Sequence, residues 1–319
     1  MKILSVRGRA PEGEADVHLI AVFGVGLVGG AVCGELYREG AVCVQSLAID
    51  WTSGPAVEEA VLRVYETVRQ LEGGASRSLR LSVVWAAGGA GFHSPEAAHL
   101  LELEYFKRVL SLGERLAQPA ARGETRFFLV SSAGGLFEGQ RNVGPTCPPV
   151  PLRAYGTFKL LQEEALERAG GFHASFVYRP STVYGHSPKG RVGLVSALLL
   201  NGIRHRVSTI SGSATTLRDF VFNGDVGRFI AAEILAPSEK VGLTRRFLVS
   251  GKPSSIFEIS RIAEDLLGRR LYLAYHLGPQ NALHNSYSPA AVARGWRSTS
   301  LREGMQAVLR GVMLAEVAC

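Results

Sequence analysis

Cysteine is scarce: Cys33, Cys43, Cys147 and Cys319 are the four in 319 residues, and they are scattered without metal-ligand spacing. That pattern excludes a disulfide framework and a thiolate metal site. The expectation is reduced, buried thiols and no bound metal, with Cys33 and Cys43 inside an expected helix and strand. Long apolar runs are missing too: no segment reaches about 18 apolar residues, and none stands ahead of a small-residue cleavage site. We therefore expect a soluble, cytoplasmic protein with no membrane partner. Nor is there a basic cluster interleaved with aromatics. The net charge of +7 comes mainly from arginines spread along the chain, which argues against nucleic acid and suits small acidic ligands such as dinucleotides and nucleotide diphosphates. Internal repeats, low-complexity tracts and interdomain linkers are absent.

What is present is a strand-then-helix alternation. Residues 1–16 read as a polar leader and residues 17–23 (VHLIAVF) as a short buried strand. Gly24, Gly26 and Gly29 follow as G-x-G-x-x-G, with Leu27 and Val28 opening a helix to about residue 39. Glycines there allow a tight turn and let the backbone approach a pyrophosphate at the helix N-terminus, where free N–H groups and the helix dipole favour anions. The second strand (AVCVQSLAIDW) is expected to end in an acidic residue for the adenosine ribose; Gln45, Ser46 and Leu47 fill that place and Asp50 arrives about three residues late. Asp50 has two open uses: bonding the adenosine, or capping the helix that begins near Pro55.

Residues 55–71 read as that helix and residues 79–87 as a strand ending in Ala86, Ala87, Gly88 and Gly89, small enough for a cofactor to lie close. A long helix follows from the Ser94 region to about Ala117, then a strand over residues 126–132 ending in Ser131 and Ser132. This alternation predicts an α/β fold with a parallel, doubly wound, Rossmann-like sheet whose ligands lie beyond the carboxyl ends of the strands. After a Gly- and Pro-rich loop, RAYGTFKLLQEEALER (residues 153–168) reads as a helix. It carries Tyr155 and Lys159 four residues apart, one above the other on one face. A phenol is a poor base at neutral pH, and an adjacent fixed cation brings it into a useful range.

Seven motifs then stand in one order: the glycine loop at 24–29, the small residues at 86–88, SSAGGLFEG from Ser131, Tyr155 with Lys159, RPSTVYG from Arg179, RDFVFNGDV from Arg218 and GWRSTSLREGM from Gly295. In this set the chain resembles the extended short-chain dehydrogenases/reductases of the NAD-dependent epimerase/dehydratase family, which act on nucleotide sugars. The resemblance covers most of the chain beyond about Val17. It implies a Rossmann domain over residues 1–180, rejoined by residues of about 212–250, and a mainly substrate-binding lobe over residues 181–319.

The resemblance also implies roles. Tyr155 is the general base and Lys159 binds the nicotinamide ribose; the usual Ser or Thr is replaced by Ala133 on the substrate side, so either Ser132 reaches the substrate through a shifted backbone as the catalytic hydroxyl, or a group elsewhere or a water supplies the bond, or catalysis is impaired. Cofactor contacts are implied at Gly24, Gly26, Leu27, Val28, Gly29, Asp50, Ala86, Ala87, Gly88, Ser131, Tyr155, Lys159, Arg179 and Pro180, and substrate contacts at Ala133, Thr182 and Arg218. Arg218 is expected on a nucleotide diphosphate, the plainer alternative being a surface pair with Asp219. Because Ala133, Gly134 and Gly135 stand where dehydratases carry a Thr-Asp-Glu run, 4,6-dehydration ranks low. The expected activity is epimerisation of a nucleotide-activated sugar with NAD, NADP remaining open. The alternatives are a net NADP(H)-dependent reductase or dehydrogenase and a catalytically impaired dinucleotide sensor or scaffold. A homodimer through the two long helices is also implied.

Overall fold

The computed structural model describes residues 1–7, 16–72, 79–116, 124–187, 193–237, 241–276 and 283–317. In chain order the first half comprises β1 (Lys2–Arg7), β2 (Val17–Phe23), α1 (Leu27–Arg38), β3 (Val42–Ser46), α2 (Gly54–Glu72), β4 (Leu79–Trp85), α3 (Glu96–Leu116), β5 (Thr125–Val130), α4 (Ala133–Leu136), α5 (Ala154–Arg168) and β6 (Ala174–Pro180). The second half comprises β7 (Thr182–Tyr184), α6 (Leu194–Ile203), β8 (Ser208–Ser211), β9 (Leu217–Arg218), β10 (Phe220–Phe222), α7 (Asn223–Leu235), β11 (Gly242–Leu248), β12 (Ser254–Ser255), α8 (Ile256–Leu267), β13 (Leu273–His276) and α9 (Leu301–Val317).

Seven strands form one sheet in the order β11-β6-β5-β4-β2-β1-β3. From β2 to β11 the neighbours are parallel, and β2 is buried along its whole length. A continuous apolar run such as VHLIAVF is what a strand covered on both faces requires. One face is covered by α2, α3 and α5, through Val57, Val61, Phe106, Val109 and Phe158. The other is covered by α1 and α7, through Val32, Leu36, Val226 and Ile230. The residues of α6, α8 and α9 close around a separate core containing Leu198, Leu199, Ile259, Met305 and Val308. Ser255 caps α8, its hydroxyl accepting the Glu258 N–H, and Gly268 ends the helix in the left-handed region.

The amino-terminal reading needs correction. Residues 2–7 of the supposed polar leader are a strand, antiparallel to both β2 and β3 and lying between them, with Ile3 and Leu4 fully buried. Local pattern does not announce it, because what holds β1 is hydrogen bonding to two strands that come later in the chain. Residues 8–15 of that stretch, Ala117 at the expected end of α3, and Cys319 lie outside the described residues. Cys33 is buried as expected, whereas Cys43 is exposed, because β3 is a sheet edge with all five residues exposed. Among the described residues no helix is long and apolar enough to cross a membrane. No group of three or more His, Cys, Asp or Glu among them is placed to hold a metal.

Candidate active site

The glycine loop joins the carboxyl end of β2 to α1, and its three glycines do different things. Gly24 has φ +86°, and a Cβ on it would lie 2.3 Å from the Ala87 backbone, so the turn packs directly on the small residues that end β4. Gly29 closes the helix onto the turn: an added Cβ would stand 1.9 Å from the Gly24 carbonyl oxygen. Around Gly26 nothing lies within 4 Å of an added Cβ. The space in front of the helix start is therefore open. Gly26 has no side-chain cap, no acidic residue stands in the first turn, and the first helical bond runs from Gly30 N–H to the Gly26 carbonyl. The N–H groups of Leu27, Val28 and Gly29 precede it, so the cradle fits a dinucleotide pyrophosphate in both shape and sign.

From there contacts run to Tyr155 and Lys159. Ala86 and Ala87 touch Gly24, Gly88 follows them, and a Cβ on Gly88 would be 4.0 Å from Lys159 Nζ. On α5 the half-buried Tyr155 packs its ring on Gly135 and against Phe92, the Phe92 and Tyr155 centroids being 4.8 Å apart. Lys159 is buried, and its ammonium donates to Glu102 Oε1 and to Gln162 Oε1, both at 3.0 Å. Glu102 also accepts from Gln162 Nε2 at 3.1 Å and from the Ala90 N–H at 3.3 Å. It thus ties α3, α5 and the loop after β4 together. Burial pulls the lysine pKa down, but the nearby negative charge, Glu102 foremost, outweighs it and the pKa is raised. Sequence reading missed Glu102. Gln162 and Glu163 were the detectable signal, since both lie one turn beyond Lys159 on the face that carries the pair.

Other expected cofactor residues are turned inward. Arg179 forms a bidentate pair with buried Glu163, with Nη2 to Oε2 at 2.6 Å and Nε to Oε1 at 3.0 Å. Ser131 Oγ donates to the same carboxylate at 2.6 Å. These groups brace β5, β6 and α5 behind Tyr155 and Lys159. Pro180 is buried at the end of β6. Ser132 is the N-cap of the short α4, where its Oγ accepts the Gly135 N–H at 3.1 Å, and the buried Ala133 side chain has no polar atom. The Ser132 hydroxyl hydrogen remains available as a donor.

On the substrate side Thr182 is exposed in β7, its N–H bonded to the Asp219 carbonyl. Arg218, in β9, is largely buried and donates to the Leu283 carbonyl oxygen. The alternative of an Arg218–Asp219 surface pair fails. Asp219 is 1% exposed and its carboxylate accepts from Ser181 Oγ, Ser250 N and Oγ, and Gly251 N. Asp50 is exposed and bonds the Thr52 N–H and hydroxyl. It does not cap α2; Ser53 Oγ accepts the Ala56 N–H there. The inserted β1 places Lys2 opposite both Val22 and Ser46, so the end of β3 is two strand spacings, roughly 9–10 Å, from the end of β2. A cavity of about 230 Å³ lined by Gln45, Ser46, Leu47 and Arg63 lies there.

A glycine cradle beside a Tyr–Lys pair on a doubly wound sheet invites comparison with known proteins. The NAD-dependent epimerase/dehydratase family profile matches residues 20–243. The chain belongs to that family. Its sheet and motif order place it among the extended short-chain dehydrogenases/reductases. A putative UDP-glucose 4-epimerase of Methanocaldococcus jannaschii is 28% identical over 190 residues, which cover 56% of this chain and 60% of that protein's length. Among solved structures, the Thermus thermophilus UDP-glucose 4-epimerase in complex with NAD superposes with a TM-score of 0.72 at 18% identity, covering 92% of this chain and 98% of that one. The Bacillus cereus UDP-glucuronic acid 4-epimerase in complex with UDP-glucuronic acid and NAD gives 0.70 at 18% identity, covering 92% and 99%. These likenesses establish the Rossmann architecture.

Proposed function

We propose that this chain epimerises a nucleotide-activated sugar with NAD, through a transient keto sugar. The observation that carries the reading is the run of contacts from the open glycine cradle through residues 86–88 to Lys159 and Tyr155. It puts a phosphate-binding helix start and a phenol beside a buried ammonium on one edge of the sheet. The bound dinucleotide supplies a hydride acceptor that returns what it takes. Gly24, Gly26, Gly29 and the first turn of α1 would hold its pyrophosphate, and Lys159 its nicotinamide ribose. Tyr155 accepts the proton of the sugar hydroxyl as the carbonyl forms and gives it back on re-reduction. Lys159, fixed by Glu102 and Gln162, keeps positive charge behind the phenol. With Ala133 offering no donor, the Ser132 hydroxyl takes the role of hydrogen-bonding the reacting oxygen, and Thr182 and Arg218 hold the substrate beyond it.

A second reading has one observation in its favour. The carboxylate expected at the end of the second strand is missing, and Arg63 lines the cavity there. An arginine in that region accommodates a 2′-phosphate, which favours a dissociable NADP(H) and net reduction. We also place the protein in the cytoplasm as a homodimer paired through α3 and α5, whose Leu100 and Leu161 are exposed.

The test is to purify the protein without added cofactor, denature it and weigh any released dinucleotide, then assay UDP- and GDP-sugars with wild type and Tyr155→Phe. Stoichiometric NAD and epimerisation lost by about 10²–10⁴-fold in the variant support the proposal. An empty protein that prefers NADPH supports the second reading. Failure to bind either dinucleotide overturns both.

A further inference from the structure

Glu102 uses its two carboxylate oxygens for different tasks. Oε1 accepts from Lys159 Nζ at 3.0 Å and from Gln162 Nε2 at 3.1 Å, and Oε2 accepts the Ala90 N–H at 3.3 Å. Ala90 belongs to the loop after β4, where the Gly91 N–H donates to Ser94 Oγ at 2.9 Å and Phe92 packs on the Tyr155 ring. One side chain from α3 therefore fixes both the cation that accompanies Tyr155 and the loop that carries an aromatic ring onto it. An ammonium has three N–H groups. Two of those on Lys159 go to Glu102 and Gln162, which leaves one, and a Cβ on Gly88 would stand 4.0 Å from the nitrogen.

The other charges packed around Tyr155 and Lys159 have their own positions. On α5, Glu163 is held by Arg179 of β6 at 2.6 Å, with Arg245 of β11 3.6 Å away. Arg153, ahead of α5, lies on the Phe92 ring and has Glu138 at 2.8 Å. From α3, His99 stacks on Phe158, its ring centroid 6.1 Å from that of Tyr155. His93, next to Phe92 in the chain, is exposed. Glu102 is the acid bonded to Lys159 itself, and both side chains are largely buried. A buried ammonium keeps its proton only while a partner charge offsets desolvation. Burial works against the Lys159 charge, and Glu102 is the largest influence restoring it. The charge is therefore present at neutral pH and lost as pH rises, and without Glu102 that loss comes at lower pH.

We propose that Glu102 is a positioning residue for the reaction: acting through Lys159, it keeps the ammonium charged and fixed beside Gly88, and it holds the loop of residues 90–92 against Tyr155. The inference rests on the epimerase reading. A phenol that takes a proton as the carbonyl forms and returns it on re-reduction must meet the same cation at both steps. Glu102 secures that by charge and by reach, and the two contributions are separable.

The test compares wild type, Glu102→Gln and Glu102→Asp by two readouts: the pH dependence of kcat for epimerisation with NAD, and NMR titration of isotope-labelled lysine side chains in the cofactor-free protein, with Lys159→Met assigning the signal. Glu102→Gln keeps the size and removes the charge. Its ratio of alkaline to neutral kcat should drop about tenfold or more, and Lys159 should lose its proton at lower pH than in wild type. Glu102→Asp keeps the charge and shortens the arm. Its kcat should fall about tenfold or more at every pH with the alkaline limb unmoved, and KM should stay within about twofold of wild type in both variants. A role in stability alone would move neither the limb nor the lysine signal. Coincidence of Glu102→Gln with wild type in both readouts overturns the proposal, as does wild-type kcat in Glu102→Asp. If Glu102→Gln does not fold, Glu102→Asp decides alone. If wild type epimerises no sugar nucleotide, the epimerase reading has failed; the lysine titration then stands by itself, an earlier loss of the proton in Glu102→Gln upholding the action of Glu102 on Lys159 and no change rejecting it.

Discussion

The two ends of the sheet's carboxyl edge are built to different standards. At the Tyr155 end two buried charges each have several partners: Lys159 bonds Glu102 and Gln162, and Glu163 takes Arg179 and Ser131, all of them buried or nearly so. At the far end β3 is exposed at every residue, and Asp50 turns back to its own neighbour Thr52. The difference teaches where geometry is over-determined. A proton-transferring phenol needs its supports held to fractions of an ångström, whereas the adenosine end of a dinucleotide needs only a surface to lie on.

The comparison breaks most visibly if the bracing is removed. Arg179→Ala would leave the Glu163 carboxylate buried without its bidentate partner, and we expect a loss of about 3–5 kcal/mol in urea unfolding. Replacing both residues by apolar ones of similar volume should recover most of it. A loss below about 1 kcal/mol in the single variant would mean that this end is not over-determined. Glu102→Gln should cost less, about 1–3 kcal/mol by thermal unfolding. Its partner Lys159 can shed a proton when desolvated, which an arginine cannot do. Equal losses in the two variants would contradict that reasoning. The smallest effect belongs to the far end. Asp50→Ala should change stability by under about 0.5 kcal/mol and leave dinucleotide affinity within about twofold, by fluorescence titration. A tenfold fall would show that Asp50 reaches the adenosine after all, across the inserted strand.

Much of the parallel half was legible from sequence because its signals are local. The run VHLIAVF, the glycine spacing at 24, 26 and 29, and the four-residue separation of Tyr155 and Lys159 each specify geometry through neighbouring residues alone. Three features were not. The strand β1 exists because β2 and β3 offer it two ladders, and KILSVR by itself is too short and mixed to declare one. Arg179, read as a cofactor contact, is drawn onto Glu163, sixteen residues away in sequence and adjacent only once β6 packs beside α5. Glu102 lies fifty-seven residues before Lys159, and only the packing of α3 against α5 makes it the ammonium's partner.

Sequence alone thus determined the doubly wound frame, the glycine turn after β2 and the stacking of Tyr155 over Lys159 on one helix face, since all of these follow from periodicities and spacings of a few residues. Tertiary structure alone decided which charges meet: Lys159 with Glu102, Arg179 with Glu163, Arg153 with Glu138. Electrostatic pairing depends on distance and burial in space, and neither is encoded in separation along the chain.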